Sequence, residues 1–356
     1  MLYKPLSFEV FDREALDALG VPEHRDALNA YLEEMETGDV PAQRPPWSQP
    51  GWFDAATEWI RVQVKDLGHR LTEPVDFVKS WGISCVLKTS STGGVFYLKE
   101  SCTLPLFADE PAVTEGLAML FPEHIPKPVA VHSERHWMLL EDFGKTIRNT
   151  EPEAEVRKAV FHCFGELQVE AVEQVDKLLE MGCRDRRLTH LIGQLDALVE
   201  DPHIVGQLKN SEVEKLKELM PRLKEQVDEL TTFGVPQTLV HGDLHLGNVA
   251  TRNGTYLFFD WTDACVTHPF FDMMGIYDQK DEDIRSQFQN AYLEVWTEFE
   301  SMERLQRCWQ LAGSLYYLHH AVSYQYITAS LEAINQHELD DVPRFLRGLL
   351  NHENWQ

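Results

Sequence analysis

At 356 residues, with 43% hydrophobic and 25% charged residues, the chain has the make-up of an ordinary globular protein and length enough for two domains or one bilobal unit. Its formal charge of −26 argues against a nucleic-acid partner, whose phosphates it would repel, and no apolar run approaches a membrane span. Six cysteines without a Cys-x-x-Cys pair suggest neither a zinc cluster nor a disulfide framework, and the N-terminus does not read as a secretory leader, so a cytoplasmic protein with no membrane partner is expected.

Residues 1–38 are polar and acidic, with helical spacing in Glu14–Leu19 and again in Arg25–Met35. Four prolines between Val40 and Gly51 then stop the helix, because they remove backbone donors and hold the chain extended. Trp47, Trp52 and Trp59, in or just after this stretch, favour an arm held against the body over a free tether. Asp54–Leu67 reads as an amphipathic helix. The character then changes to short strands, Asp76–Ser80, Ser84–Thr89 and Gly94–Glu100, separated by turns at Trp81–Ile83 and Ser90–Gly94, and three antiparallel strands are the economical reading. Alternation puts Tyr97 and Lys99 on one face of the third. A helical pattern opens at Glu110 and tolerates Pro111 in its first turn. Glu110 is therefore the candidate partner for the Lys99 ammonium, with Glu115 as the fallback and Lys88 as the rival lysine.

Pro122–Pro128 breaks that helix, and Val129–His132 and His136–Leu140 read as two further strands ending in the turn Glu141–Gly144. Helical patterns follow over 155–180, 188–200 and 212–230, with Glu and Lys mixed on their polar faces. The most informative stretch comes next. Leu239 and Val240 run into a polar loop, His241–Asn248; Val249 and Ala250 follow, Arg252–Gly254 supplies a turn, and Tyr256–Phe259 is apolar again before Asp260. That is a hairpin presenting carboxylates and an amide at the ends of buried strands. The layout suits phosphoryl transfer, with Asp243 orienting a nucleophile while Asn248 and Asp260 hold magnesium against phosphate oxygens. Cys265–Asp272 reads as a loop closing on a carboxylate. Helices are expected over 282–300, 302–331 and 342–350. The second carries Tyr316, Tyr317, His319, His320, Tyr324 and Tyr326, which core packing explains, although such density can also face a cation or a sugar.

From His241-Gly-Asp243 through Asn248 to Asp260, the spacing resembles the catalytic core of the protein-kinase-like superfamily, and the His-Gly-Asp opening is most similar to its aminoglycoside phosphotransferase and choline kinase branch. The resemblance covers roughly Asp76–Leu331. It implies an α+β bilobal fold with a small antiparallel-sheet N-lobe and a mainly helical C-lobe. The expected division is an N-terminal helical extension and Pro/Trp-rich arm over 1–70, a small nucleotide-binding lobe over 71–144, and a helical catalytic and substrate lobe over 145–356. It further implies ATP and Mg2+, with Lys99 positioning the phosphates, Gly82 and Ser84 contacting them from a loop, and the Leu140 carbonyl and Asp142 amide pairing with adenine at a hinge where Leu139 lines the pocket. His241 would lock the catalytic loop by packing and one hydrogen bond, and Asp272 would brace it. The implied acceptor is a hydroxyl of a small molecule, an amino sugar, amino alcohol or sugar. The acidic surface suits a cationic one, and the unit would be a monomer or homodimer. The short segment between Asp260 and Asp272 leaves no room for an activation loop, which argues against a protein acceptor. Asp142-Phe-Gly144 spells the protein-kinase metal tripeptide but precedes Asp243, and Gly144-Lys-Thr146 lacks the glycine a phosphate-binding loop requires five residues earlier.

Two readings of other classes stand beside this one. His241, Asp243 and His245 alternate as ligands would on a strand face, and with Asp260 they could form a hydrolytic metal site. The chain could also be a nucleotide-binding module without catalysis. Tightly held zinc would favour the first, and an Asp243→Ala protein that keeps both ATP binding and full biological effect the second.

Overall fold

The computed structural model describes residues 29, 32–150, 152–332 and 341–352. The expected helix at Glu14–Leu19 and the first part of that at Arg25–Met35 lie outside them. Helix α1 (Trp52–Asp66) starts where Gly51 takes a left-handed turn, and it buries Trp52, Ala56, Ile60 and Val64 at helical spacing. That stripe packs on one face of a five-stranded antiparallel sheet ordered β1-β2-β3-β5-β4. The strands are β1 (Asp76–Ser80), β2 (Ser84–Ser91), β3 (Gly94–Ser101), β4 (Ala130–His132) and β5 (Trp137–Glu141).

Register decides what each face carries. Leu87, Leu98 and Leu139 stand opposite one another across β2, β3 and β5, and all three lie in the apolar cluster beneath α1. Val86, Lys99 and Met138 form the adjacent row, on the other face. Helix α2 (Glu110–Leu120), with Pro111 in its first turn as expected, follows β3.

Beyond Glu141 the chain enters a helical lobe built from α3 (Ala154–Ala171), α4 (Leu188–Glu200), α5 (Asn210–Leu230), α6 (Glu282–Glu294), α7 (Met302–Ser330) and α8 (Val342–Leu350), sharing one large apolar core. The expected bounds of α4 and α8 match, whereas α6 stops at Glu294 rather than at residue 300. The hairpin is narrower than expected. It comprises β8 (Val249–Arg252) and β9 (Thr255–Phe258), joined by Asn253-Gly254 with φ of 54° and 85°, the geometry of a two-residue primed turn. Leu239 and Val240 belong to a separate sheet, in which β7 (Thr238–Val240) pairs antiparallel with β10 (Cys265–Thr267) and β10 pairs parallel with β6 (Arg184–Asp185). The expected loop at 265–272 thus contains a strand, followed by a 3-10 turn, Pro269–Asp272.

The Pro/Trp-rich arm is tied to both lobes. The Arg44 guanidinium bonds Glu34 and, near the end of α7, Glu332. The Trp47 indole donates to the Trp81 carbonyl at 3.1 Å, and the Trp52 and Trp137 indoles both donate to the buried Glu100 carboxylate. Among the described residues no helix is long and apolar enough to cross a membrane.

Candidate active site

Lys99 leaves β3 on the face turned away from α1 and lies almost wholly buried. Its ammonium is 2.7 Å from Glu110 Oε1, the first residue of α2, and 2.5 Å from Asp260 Oδ1, which follows β9 in the helical lobe. Ser101 Oγ holds the second Glu110 oxygen at 2.6 Å, and Thr262 Oγ1 lies 3.2 Å from both Lys99 Nζ and Asp260 Oδ1. The fallback Glu115 is exposed, and the rival Lys88 sits over the Tyr97 ring. Burial opposes the charge on Lys99, but two carboxylates outweigh it and raise its proton affinity. The same pairing holds Asp260 down to about 2 although burial acts the other way. Asp260 has φ 70°, a left-handed conformation that Asp tolerates better than most side chains.

The loop His241–Asn248 is fixed from beneath. Asp272, fully buried, accepts the His241 amide at 2.6 Å and the Gly242 amide at 2.8 Å. Gly242 is required here. Its φ is 84°, and a Cβ would stand 2.5 Å from both the Asp263 Cβ and the Asp263 carbonyl oxygen. His241 accepts the Asp243 amide on Nδ1 and meets the Phe259 carbonyl through Nε2 at 2.9 Å, while its ring packs 4.5 Å from that of Trp261. Desolvation brings it down to about 4, so it is neutral and locked. Asn248 donates Nδ2 to the Asp243 backbone carbonyl at 3.0 Å and to its carboxylate at 3.2 Å, which turns Oδ1 the other way.

Gly242, Asp243, Asn248, Asp260 and Thr262 line one cavity of about 330 Å³ together with Tyr324 of α7 and Phe345 of α8. Desolvation holds the Asp243 carboxyl above its ordinary range. Asp260 adds to this, while His245, whose Nε2 is 3.6 Å away, and Lys79 oppose it.

Some expected residues fall elsewhere. Leu139 lies in the row beneath α1, on the face opposite Lys99, so it does not line this cavity. The Asp142 amide donates to the Val95 carbonyl at 3.0 Å; alternation along that ladder then places Leu140 in a hydrogen-bonded pair with Tyr97, which commits its carbonyl as well. Both expected hinge groups therefore bond within the sheet. Ser84 lines the cavity, but its hydroxyl accepts the Trp81 indole at 2.6 Å, and the Gly82 carbonyl accepts the Cys102 thiol. The alternative metal triad is dispersed, since Gly242 bends the chain into a loop and both His241 nitrogens are engaged. Among the described residues no group of three or more His, Cys, Asp or Glu is arranged to hold a metal.

Several cavity residues escaped the sequence. Asp263, beneath the loop, is pushed up to about 8 by burial and then by Asp243 and Asp260. Lys79, Arg148 and Arg344 also reach the lining. Of the aromatic cluster, Tyr316 stacks in the core on Tyr277 and His319 lies against Phe271, whereas His320 and Tyr324 face the cavity. One helix thus divides the cluster between the core and the cavity wall.

A small antiparallel lobe over a helical one, with a carboxylate-held lysine meeting an aspartate loop between them, is a bilobal protein-kinase-like fold. Residues 108–308 match the model of the phosphotransferase enzyme family, and the chain belongs to that family. Compared by sequence, no curated protein matches. Among solved structures, the fold is similar to wild-type aminoglycoside 2'-phosphotransferase-IIIa in its GDP complex (16% identity, 83% of this chain and 97% of that one, TM-score 0.57). It is also similar to a choline/ethanolamine kinase family protein from Mesorhizobium loti (12%, 80% and 90%, 0.55). A third is the Plasmodium vivax ethanolamine kinase (12%, 93% and 94%, 0.52).

Proposed function

We propose that the protein transfers the γ-phosphoryl group of ATP to a hydroxyl of a small molecule. The observation that carries the reading is the Lys99 ammonium bound at once to Glu110 of the small lobe and Asp260 of the helical lobe, with Asp260 and Asp243 lining one cavity. In this reading Lys99 positions the nucleotide phosphates. Asp243 accepts the acceptor's proton as the new oxygen–phosphorus bond forms and the bond to the β-phosphate oxygen breaks, releasing ADP. Its raised proton affinity suits that task. Asn248 Oδ1 and the Asp260 carboxylate are hard oxygen donors of the kind Mg2+ takes, and they would hold it there to neutralise phosphate charge. His241 and Asp272 keep the loop in place. At the hinge, the backbone of Glu141 and Phe143, one residue out of phase with the committed Leu140 and Asp142 groups, is assigned to adenine.

The acceptor enters from the side of α7 and α8. Among the described lining residues the carboxylates are Asp243, Asp260 and Asp263, while Tyr324, Phe345 and Arg344 make up the outer wall. That wall favours a sugar or an amino alcohol over a polycation. The test is a coupled assay with ATP and with GTP against sugars, amino alcohols and aminoglycosides. Transfer to one acceptor, abolished in Asp243→Ala, is expected; undiminished turnover in that variant would overturn the assignment.

A further inference from the structure

On β1, Phe77 faces α1, stacking on Phe53 at 5.1 Å and on Trp52 at 6.4 Å. Strict alternation would turn Val78 to the cleft and Lys79 back toward α1, opposite Cys85. The pairing does otherwise. Phe77 opposes Leu87 but Lys79 opposes Val86, so Val78 is an extra residue and the strand is bulged. Because directly opposed residues share a face, Lys79 joins the row Val86, Lys99, Met138 and emerges on the side of Lys99.

The side chain then reaches the candidate site. Its ammonium rests 3.6 Å above the Trp81 ring, in the turn between β1 and β2, and lines the same cavity as Asp243 and Asp260. Partial burial lowers its proton affinity, and both aspartates attract it. Yet among the described residues it pairs with no carboxylate, whereas Lys99 pairs with two. An edge strand is often guarded by a lysine, and β1 is an edge. The residue is exposed, as a guard would be, but the bulge puts its side chain on the cleft face, laid on an indole at the lining of the cavity.

We propose that Lys79 is a second phosphate-binding cation, placed by the bulge to contact the γ-phosphoryl group while Lys99 holds the phosphates behind it; this rests on the phosphotransfer reading above. During transfer, negative charge spreads over the γ-oxygens, and a cation already aimed at them stabilises that charge without reorganisation.

Wild type, Lys79→Met and Lys79→Arg would each be titrated with Mg-ADP and with a non-hydrolysable Mg-ATP analogue, beside thermal melts. The Met variant is expected to lose affinity for the triphosphate by about 10- to 100-fold, the worth of one charge-assisted hydrogen bond, while its diphosphate affinity stays within about twofold. Lys79→Arg should recover most of the loss. Equal losses for both nucleotides, or none for either, would overturn the inference, as would a defect confined to the acceptor KM. The two readings separate cleanly. If wild type binds and turns over nucleotide and Lys79→Met matches it, only this inference fails; if wild type binds neither nucleotide, the phosphotransfer reading fails with it.

Discussion

Replacing Asp272 by asparagine tests whether the loop bearing Asp243 is held by one buried carboxylate. Each Asp272 oxygen accepts a different amide, His241 at 2.6 Å and Gly242 at 2.8 Å, and Gln168 Nε2 approaches at 3.4 Å. Asparagine keeps one acceptor oxygen and sets an NH2 against the other amide. The change removes a charge-assisted bond, roughly 1.5 to 3 kcal/mol, and strands a buried N–H, roughly 1 to 3 kcal/mol. Part of this is returned, because burial disfavours the carboxylate strongly enough to push it up to about 7. A net loss of about 2 to 4 kcal/mol is expected, which for a chain of this size lowers Tm by roughly 3 to 5 °C. A base displaced by about 1 Å can lose about a hundredfold in rate, so kcat should fall far more than the acceptor KM rises. Thermal melts and initial rates on the same preparation read both effects. An Asp272→Asn protein that melts within about 1 °C of wild type and keeps its kcat would refute the reasoning.

Lys99→Met leaves Glu110 and Asp260 without their shared cation and should cost about 3 kcal/mol, read as a lower urea midpoint, with turnover down at least about a hundredfold. Gly242→Ala meets both a left-handed backbone and a Cβ 2.5 Å from Asp263, whereas Gly254→Ala, at φ 85° with nothing within 4 Å, meets only the first. The second variant should lose about 1 to 2 kcal/mol and the first several more; equal losses would show that the clash is relieved. Asp263 titrates at about 8 in the folded chain and at about 3.9 in the unfolded one, so the folded state binds the extra proton between those values. Stability should therefore fall as pH rises from about 4 to about 8 and then level off. Asp263→Asn should flatten that slope and raise Tm more at pH 8 than at pH 5; the opposite order in a pH series of melts would refute the assignment.

What the sequence made legible follows one rule. Helices α4 and α8, the start of α2 at Glu110 and the Asn253-Gly254 turn depend on periods and turn chemistry within a few residues, and each was readable. That Asp243, Asn248 and Asp260 come together in one cavity is legible because they lie in one continuous stretch. Strands β6 and β10 were missed because two or three residues carry no period, and only a partner distant in sequence makes them strands.

The departures at the hinge are departures of phase. The sequence puts Leu139, Leu140 and Asp142 in their strand and turn, but which of them faces Lys99 depends on Lys99 opposing Met138 rather than a neighbour, a fact of pairing that no local pattern contains. Lys79 shows the same thing in reverse. Its own strand assigns it to the α1 face, and one extra residue against β2 reverses that. A one-residue slip costs little to write into a strand and inverts every side chain beyond it. Cross-strand register is therefore where a sheet of this kind can gain or lose a cation at its cleft while the surrounding motif stays the same.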